Sequence, residues 1–437
     1  LYIMEKNERD RIINLIKREV VPAIGCTEPI AVALCVARAT ELLGAKPEKI
    51  TALLSANILK NAMGVGIPGT GMVGLPIAIS LGALIGKSEY GLEVLRDCCP
   101  EAVEQGKAFI AEDRIHIALK TDITEKLYIE ISAQCDGKEA TAIISGGHTH
   151  FVYEAVNGCA SLDLMHNPSC AATGDNDDDK ELDLKTVYEF ATTAPLSEIE
   201  FIKEARKLNL NAADESLKGK YGHELGKVLS RPLGRGIMGD SIFSHILSST
   251  SCACDARMAG AMIPVMSNSG SGNQGICATV PVAVFAEENH NTEEEMVRAL
   301  ILSHLTAIYI KQSLGKLSAL CGCVVASTGS SCGITYLMGG TYEHVVSAVK
   351  NMIANLSGMI CDGAKPSCAL KLTSGVSTAV LSAILAMQNK CVTSVEGIID
   401  DNVDQSIHNL TSIGKDAMCE TDRMVLDIMT HKTKGNA

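Results

Sequence analysis

The sequence predicts an α+β chain, mostly helical, with a small antiparallel β-sheet module inserted into the helical part. Three observations predict it. The chain has 437 residues, 46% hydrophobic, yet only 3% aromatic and without Trp, so its core is built from Ala, Val, Ile, Leu, Met and Cys. Such side chains favour close helix–helix packing over a large β-sandwich. Strict period-two alternation is confined to residues 114–153, and helical periodicity fills the flanks. The expected division is residues 1–105 with 184–437 as one helical domain, and 106–183 as the inserted module.

The elements follow in order. Residues 8–20 read as a first helix ending before Val21-Pro22. A second, Ala-rich helix runs from Ile30 to Leu43, after Cys26-Thr27-Glu28-Pro29, where Thr27 suits a cap and Pro29 the first turn. Cys26 then lies just outside a helix N-terminus, where the dipole favours thiolate. Segments 114–120, 127–131, 140–145 and 149–153 read as four strands, separated by Asp136-Gly137 and Gly146-Gly147. Helices resume after 184, including 294–312, 342–356 and 376–387. Between them, 267–275, 322–333 and 358–368 read as Gly- and Ser-rich loops that allow close approach of backbone to a ligand.

Composition excludes several classes. The net charge is −13, from 38 basic and 51 acidic residues, with no long Lys/Arg cluster, so no nucleic-acid partner is expected. The acidic run at 174–181 reads as a solvated loop. The uncharged stretch 62–86 is long enough to span a bilayer, but Gly64, Gly66, Pro68, Gly69, Gly71, Gly74 and Pro76 crowd its first half. It reads as a buried loop plus a core helix, with no membrane partner. The charged start, Met4 to Arg11, lacks an apolar signal-peptide region, so the 17 cysteines are expected to be reduced and the chain cytoplasmic.

Among those cysteines, Cys321, Cys361 and Cys368 sit in Leu320-Cys321-Gly322-Cys323 and Cys361-Asp362-Gly363-Ala364-Lys365-Pro366-Ser367-Cys368. Three thiolates can hold three irons of a [4Fe–4S] cluster and leave the fourth open as a Lewis acid. Their spacing is not the compact ferredoxin pattern. Buried packing thiols, or a zinc site completed by Cys323, Cys332 or Cys26, therefore remain open readings. The loop Ser267 to Gly275 suits an anion-binding nest, with Ser269, Ser271, Asn273 and Gln274 as candidate substrate ligands. Asn57, Lys60 and Asn61 form a second polar face, where Lys60 suits a carboxylate; an exposed helix face is the plain alternative. Asp362 and Lys365 read as cluster-tuning groups or a local salt bridge, and Cys252 and Cys254 as packing residues near the site. Asp240, Ser241 and His245 lie just upstream. The eleven histidines show no metal-binding pattern.

Three stretches carry a resemblance that covers nearly the whole chain: Pro22-Ala23-Ile24-Gly25-Cys26-Thr27-Glu28-Pro29, Ser267 to Gly275, and Met359 to Cys368. They resemble the cysteine desulfidase family, related to the iron–sulfur L-serine dehydratases, some of whose members carry only placeholder names. The resemblance implies an oxygen-sensitive [4Fe–4S] lyase that converts L-cysteine to pyruvate, ammonia and hydrogen sulfide. It implies cluster ligands at Cys321, Cys361 and Cys368 and an active-site cysteine at Cys26. Three roles stay open for Cys26: base for the α-proton, resting ligand of the open iron, or a helix-end cysteine without chemistry. The expected partner is a small amino-acid substrate, and a homo-oligomer stays open. The rivals are a [4Fe–4S] L-serine dehydratase, a pyridoxal-phosphate lyase, an iron–sulfur sensor and a structural zinc protein.

Overall fold

The computed structural model describes residues 4–123, 125–165, 182–315 and 318–431. Helix α1 (Lys6–Glu19) buries Ile12, Ile13, Leu15 and Ile16. Strand β1 (Pro22–Ile24) leads into α2 (Thr27–Leu43), which is followed by β2 (Lys49–Leu54), α3 (Ala56–Ala62), α4 (Leu75–Leu84) and α5 (Pro100–Ala111). Strands β3 (Ile115–Leu119), β4 (Tyr128–Cys135), β5 (Lys138–Ser145), β6 (Phe151–Val156) and β7 (Cys159–Asp163) come next. The sheet order is β3-β2-β4-β5-β6-β7.

The chain is thus α+β and mostly helical, as expected, with two differences in the sheet. Among the described residues it has six strands, because β2 joins it from before the expected module and β7 extends it. It is also mixed: β2 pairs parallel with β3 and antiparallel with β4. The helices between β2 and β3 supply the long crossover that a parallel pair requires. Side chains alternate along β2, burying Ile50, Ala52 and Leu54. These pack with α2, α4 and the inner faces of β4 and β5 into one apolar cluster. The expected boundary at 105–106 falls inside α5, whose Ala102 and Phe109 belong to that cluster. The expected acidic loop at 174–181 lies outside the described residues.

The second half is a helical assembly. It comprises α6 (Leu184–Thr193), α7 (Leu196–Ile199), α8 (Lys203–Lys218), α9 (Leu225–Ser230), α10 (Pro232–Met238) and α11 (Ile242–Met258). Strand β8 (Pro264–Met266) pairs with β1, and then α12 (Gly272–Glu288) and α13 (Glu293–Leu314) follow. The last helices are α14 (Gly322–Leu337), α15 (Tyr342–Leu356), α16 (Cys368–Met387), α17 (Val403–Ser412) and α18 (Cys419–His431).

Helix α14 replaces an expected loop. Its Gly and Ser residues weaken helix propensity, but here they serve packing. A Cβ on Gly329 would lie 2.2 Å from the Ser303 carbonyl oxygen of α13, and one on Gly375 of α16 would lie 2.4 Å from Cys323 Sγ. Ser327 and Thr328 return their hydroxyls to the carbonyls of Cys323 and Val324, at 2.6 and 2.8 Å. Close packing on α13 and α16 therefore outweighs local propensity. The stretch 62–86 forms the end of α3, a glycine-rich loop and the buried α4. One helix among the described residues, α16, is long and apolar enough to cross a membrane, and half of its most apolar window is buried within the fold.

Candidate functional site

Backbone pairing brings the first two thiols of the expected triad together. Cys321 caps the N-terminus of α14, and its N–H donates to the Met359 carbonyl at 2.9 Å. The N–H of Cys361 donates to the Ala319 carbonyl at 2.7 Å, and Leu320 and Ile360 form an antiparallel bridge between them. The chain then turns at Gly363 (φ +90°), where a Cβ would sit 2.3 Å from the Lys60 carbonyl oxygen. Only glycine combines that dihedral with that approach. The turn delivers Cys368 to the first position of α16, with Sγ 3.6 Å from the Gly363 carbonyl.

Charge around these thiols is positive. Lys311 of α13 is 8% exposed. Burial pulls its amine down to about 8, against the opposing pull of Cys361 and Cys321. Lys371 donates to the Ile360 carbonyl at 2.6 Å and pairs with Asp362. Asp362 also pairs with Lys365. Burial would raise the Asp362 carboxyl, but the two lysines overcome it and hold it down at about 2. Burial, then Cys323 and Cys361, push the Cys321 thiol far up, and burial raises Cys368. Both thiols are thereby held in the protonated form.

The donor set fits a polynuclear cluster better than one small ion. Thiolates on a single tetrahedral zinc stand about 3.8 Å apart, given bonds of about 2.3 Å. Among the described residues, the one group of three potential ligands whose ligand atoms all lie within 4.8 Å of one another is Glu48, Cys135 and Asp136, a different place. The three thiols are therefore more widely spread than a closed zinc site, and Lys311 and Lys371 lie within electrostatic reach of Cys321 and Cys361, which suits an anionic cluster.

Cys26 caps α2 and is 5% exposed. Its thiol donates to Glu28 Oε2 at 2.9 Å. Helix-end activation does not prevail here. Burial first, then the Glu28 carboxylate, push the thiol well up, and Arg257 opposes them without winning. Thr27 is not the cap; its hydroxyl instead donates to Glu28 at 3.3 Å.

The Ser267 to Gly275 stretch is only partly loop. Asn268 and Ser271 form a tight antiparallel bridge through Ser269 (φ +49°) and Gly270 (φ +79°). The N–H groups of Ser267, Asn268, Ser269 and Ser271 all donate to carbonyls, so they do not form the expected open nest. Ser269 Oγ donates to Asn268 Oδ1 at 2.8 Å, and Asn268 is anchored on the buried His304. Ser271 caps α12, accepting from the Gln274 N–H. The other two candidates face inward. Asn273 Oδ1 accepts from Arg257 Nη1 at 3.0 Å and lies 3.7 Å from Cys254 Sγ. Gln274, 4% exposed, packs on Gly322 beside Cys321, and its Oε1 has no partner.

Lys60 is 2% exposed and paired with Asp422 of α18, so the carboxylate it serves belongs to the chain. Asn57 is buried on the same helix and Asn61 is half-buried. Asp362 and Lys365 form the local salt bridge. Cys252 packs against Gly226, and His245 stands between Asp240 (2.6 Å) and Glu288 (2.5 Å) at the far end of α11. Ser241 caps that helix. A surface hollow of about 670 Å³, lined by Asp10, Asn14, Lys17, Glu198 and Phe201 among others, shares no residue with the site.

Sequence reading missed Arg257, Lys311 and Glu28. The one signal for Arg257 was a charge inside the apolar end of α11, after Cys252-Ala253-Cys254-Asp255-Ala256.

A family model described as serine dehydratase alpha chain matches residues 89–427. A UPF0597 protein of Bacteroides thetaiotaomicron is 71% identical over 98% of this chain and 99% of its own length. Similar proteins, also named UPF0597, occur in Bacteroides fragilis at 70% identity over 98% of this chain and 100% of their length, and in Porphyromonas gingivalis at 54% over the same shares. With Cys321, Cys361 and Cys368 inside the matched region, this chain belongs to the serine dehydratase alpha chain family.

Proposed function

We propose that the chain is a [4Fe–4S] lyase that eliminates sulfide from L-cysteine, giving pyruvate, ammonia and hydrogen sulfide. The observation that carries this is the convergence of Cys321, Cys361 and Cys368 beside Gln274 and two lysines, with Cys254 linking Cys368 electrostatically to Asn273 and Arg257. Cys321, Cys361 and Cys368 would hold the cluster. When bound, it supplies an open Lewis-acidic iron that makes the substrate α-proton more acidic.

The chain's own residues do the rest. Cys26 is the base, acting with Glu28: the thiol is protonated at rest, and as its sulfur takes the α-proton its own proton passes along the 2.9 Å hydrogen bond to Glu28, with no free thiolate formed beforehand. The Cα–H and Cβ–S bonds break as Cα=Cβ forms, and sulfide leaves. The released aminoacrylate tautomerises to an imine, which water hydrolyses to pyruvate and ammonia. Pro68 packs on Gly25 and Gly66 on Ala259, so the 64–74 loop lies against the residues next to Cys26 and Arg257.

The family match favours a second substrate, L-serine, with water leaving in place of sulfide. A side chain differing by one heteroatom is a modest discrimination problem for such a pocket. The test is anaerobic turnover on L-cysteine and L-serine with pyruvate, ammonia and sulfide assayed separately. Sulfide and pyruvate in equal amounts from L-cysteine support the reading. Turnover of L-serine alone selects the dehydratase, and no turnover of either sinks both.

A further inference from the structure

We propose that Arg257 is the seat of the substrate's α-carboxylate, with Asn273 and Gln274 beside it. This rests on the lyase reading and goes beyond it by naming the group that recognises an amino acid. Arg257 closes the last turn of α11 and is 4% exposed. Its Nη1 donates to Asn273 Oδ1 and its Nη2 to the Gly25 carbonyl, each at 3.0 Å. Both acceptors are neutral, and Nε has no acceptor at all. Among the described residues no carboxylate lies within 4 Å of the guanidinium. A buried cation left without a counter-charge is costly, and a planar carboxylate is the anion its fork best matches.

The position is right as well. Gly272 leaves room for the guanidinium, since a Cβ there would lie 2.2 Å from Nε. The Gly25 carbonyl fixes Arg257 next to Cys26. Asn273 connects it to Cys254, and the neighbouring Gln274, whose side chain packs on Gly322 directly after Cys321 in sequence, carries a second unpartnered buried atom, Oε1. Oε1 is an acceptor suited to the substrate's α-ammonium. The guanidinium is therefore tied on one side to the residue preceding the proposed base and on the other, through Asn273, to Cys254.

The decisive variant is Asn273→Asp, which supplies the missing carboxylate from inside the fold. It should raise Tm, keep the iron content, and weaken L-cysteine, L-serine and L-alanine by about 100-fold, read as KM for the first two and as calorimetric binding for L-alanine, which has no leaving group. Arg257→Gln should weaken the same ligands similarly, and Arg257→Lys less. Wild-type affinity in Asn273→Asp or in either Arg257 variant, with full iron, overturns the assignment. So does wild-type protein that binds none of the three amino acids. If wild-type protein binds them but releases no pyruvate, the lyase reading fails and the carboxylate seat stands.

Discussion

Two buried thiols on one helix lie in contrasting surroundings. Cys35, in the middle of α2, donates to the Ala142 carbonyl at 3.3 Å and packs against the sheet. Nearby, Arg38 makes paired bonds of 2.8 and 2.7 Å to Glu154, and Ser55 donates to the Lys126 carbonyl. Thr40 Oγ1 is the exception, without a partner. Cys26, at the start of the same helix, lies within electrostatic reach of Arg257, whose Nε is buried and unpartnered, as is Gln274 Oε1 of the neighbouring α12. The sheet layer completes its own hydrogen bonding. The thiol corner leaves Arg257 Nε and Gln274 Oε1 without a partner, which is what the proposed carboxylate seat requires.

Replacing cysteines should break this contrast most sharply. Cys321→Ala, Cys361→Ala and Cys368→Ala should each lose both bound iron and all turnover, measured after anaerobic reconstitution. Cys35→Ala should retain both and cost only about 1–2 kcal/mol in urea unfolding. Equal iron loss in Cys35→Ala would erase the distinction between the two regions. Next in size, Cys26→Ala should keep its iron and absorbance while turnover falls by about 10³-fold or more. Iron loss in that variant would make Cys26 a ligand instead of the base.

Two stability predictions sharpen the comparison. Asp422→Ala strands Lys60 with a buried, unpaired ammonium and should cost about 3 kcal/mol. Asp255, buried on α11, has its carboxyl raised to about 6, by burial first. The folded pKa stands above the unfolded value of about 3.9, so this group's contribution is complete below pH 4 and lost as pH rises through 6. Asp255→Asn should therefore be more stable than wild type by about 2 kcal/mol at pH 7.5 and no more stable at pH 4. Urea denaturation at the two pH values checks the sign.

Local pattern made α1, α2, α13, α15 and four strands legible, because each carries its period within its own segment. Three features needed tertiary context. β2 is short and gains its identity from partners β3 and β4 on both sides. α14 reads as a loop until α13 and α16 press against its glycines. α16 begins at Cys368, eight residues before its periodicity is evident from 376. At the site, motif resemblance pointed to the thiols and Cys26, whereas spacing alone favoured packing thiols and left zinc as a rival. Lys60 was legible as a carboxylate partner, but only the fold shows that the carboxylate is Asp422. Arg257 was not legible, since its meaning depends on Gly25 and Asn273, which are remote from it or on another helix.

The most direct test of the central claim is the iron and acid-labile sulfide content of anaerobically reconstituted protein, assayed with its pyruvate output from L-cysteine and L-serine. The account predicts about four irons and four sulfides per chain, with turnover that disappears when the cluster is oxidised away. Stoichiometric zinc without labile sulfide, or full activity in protein stripped of iron, would contradict it.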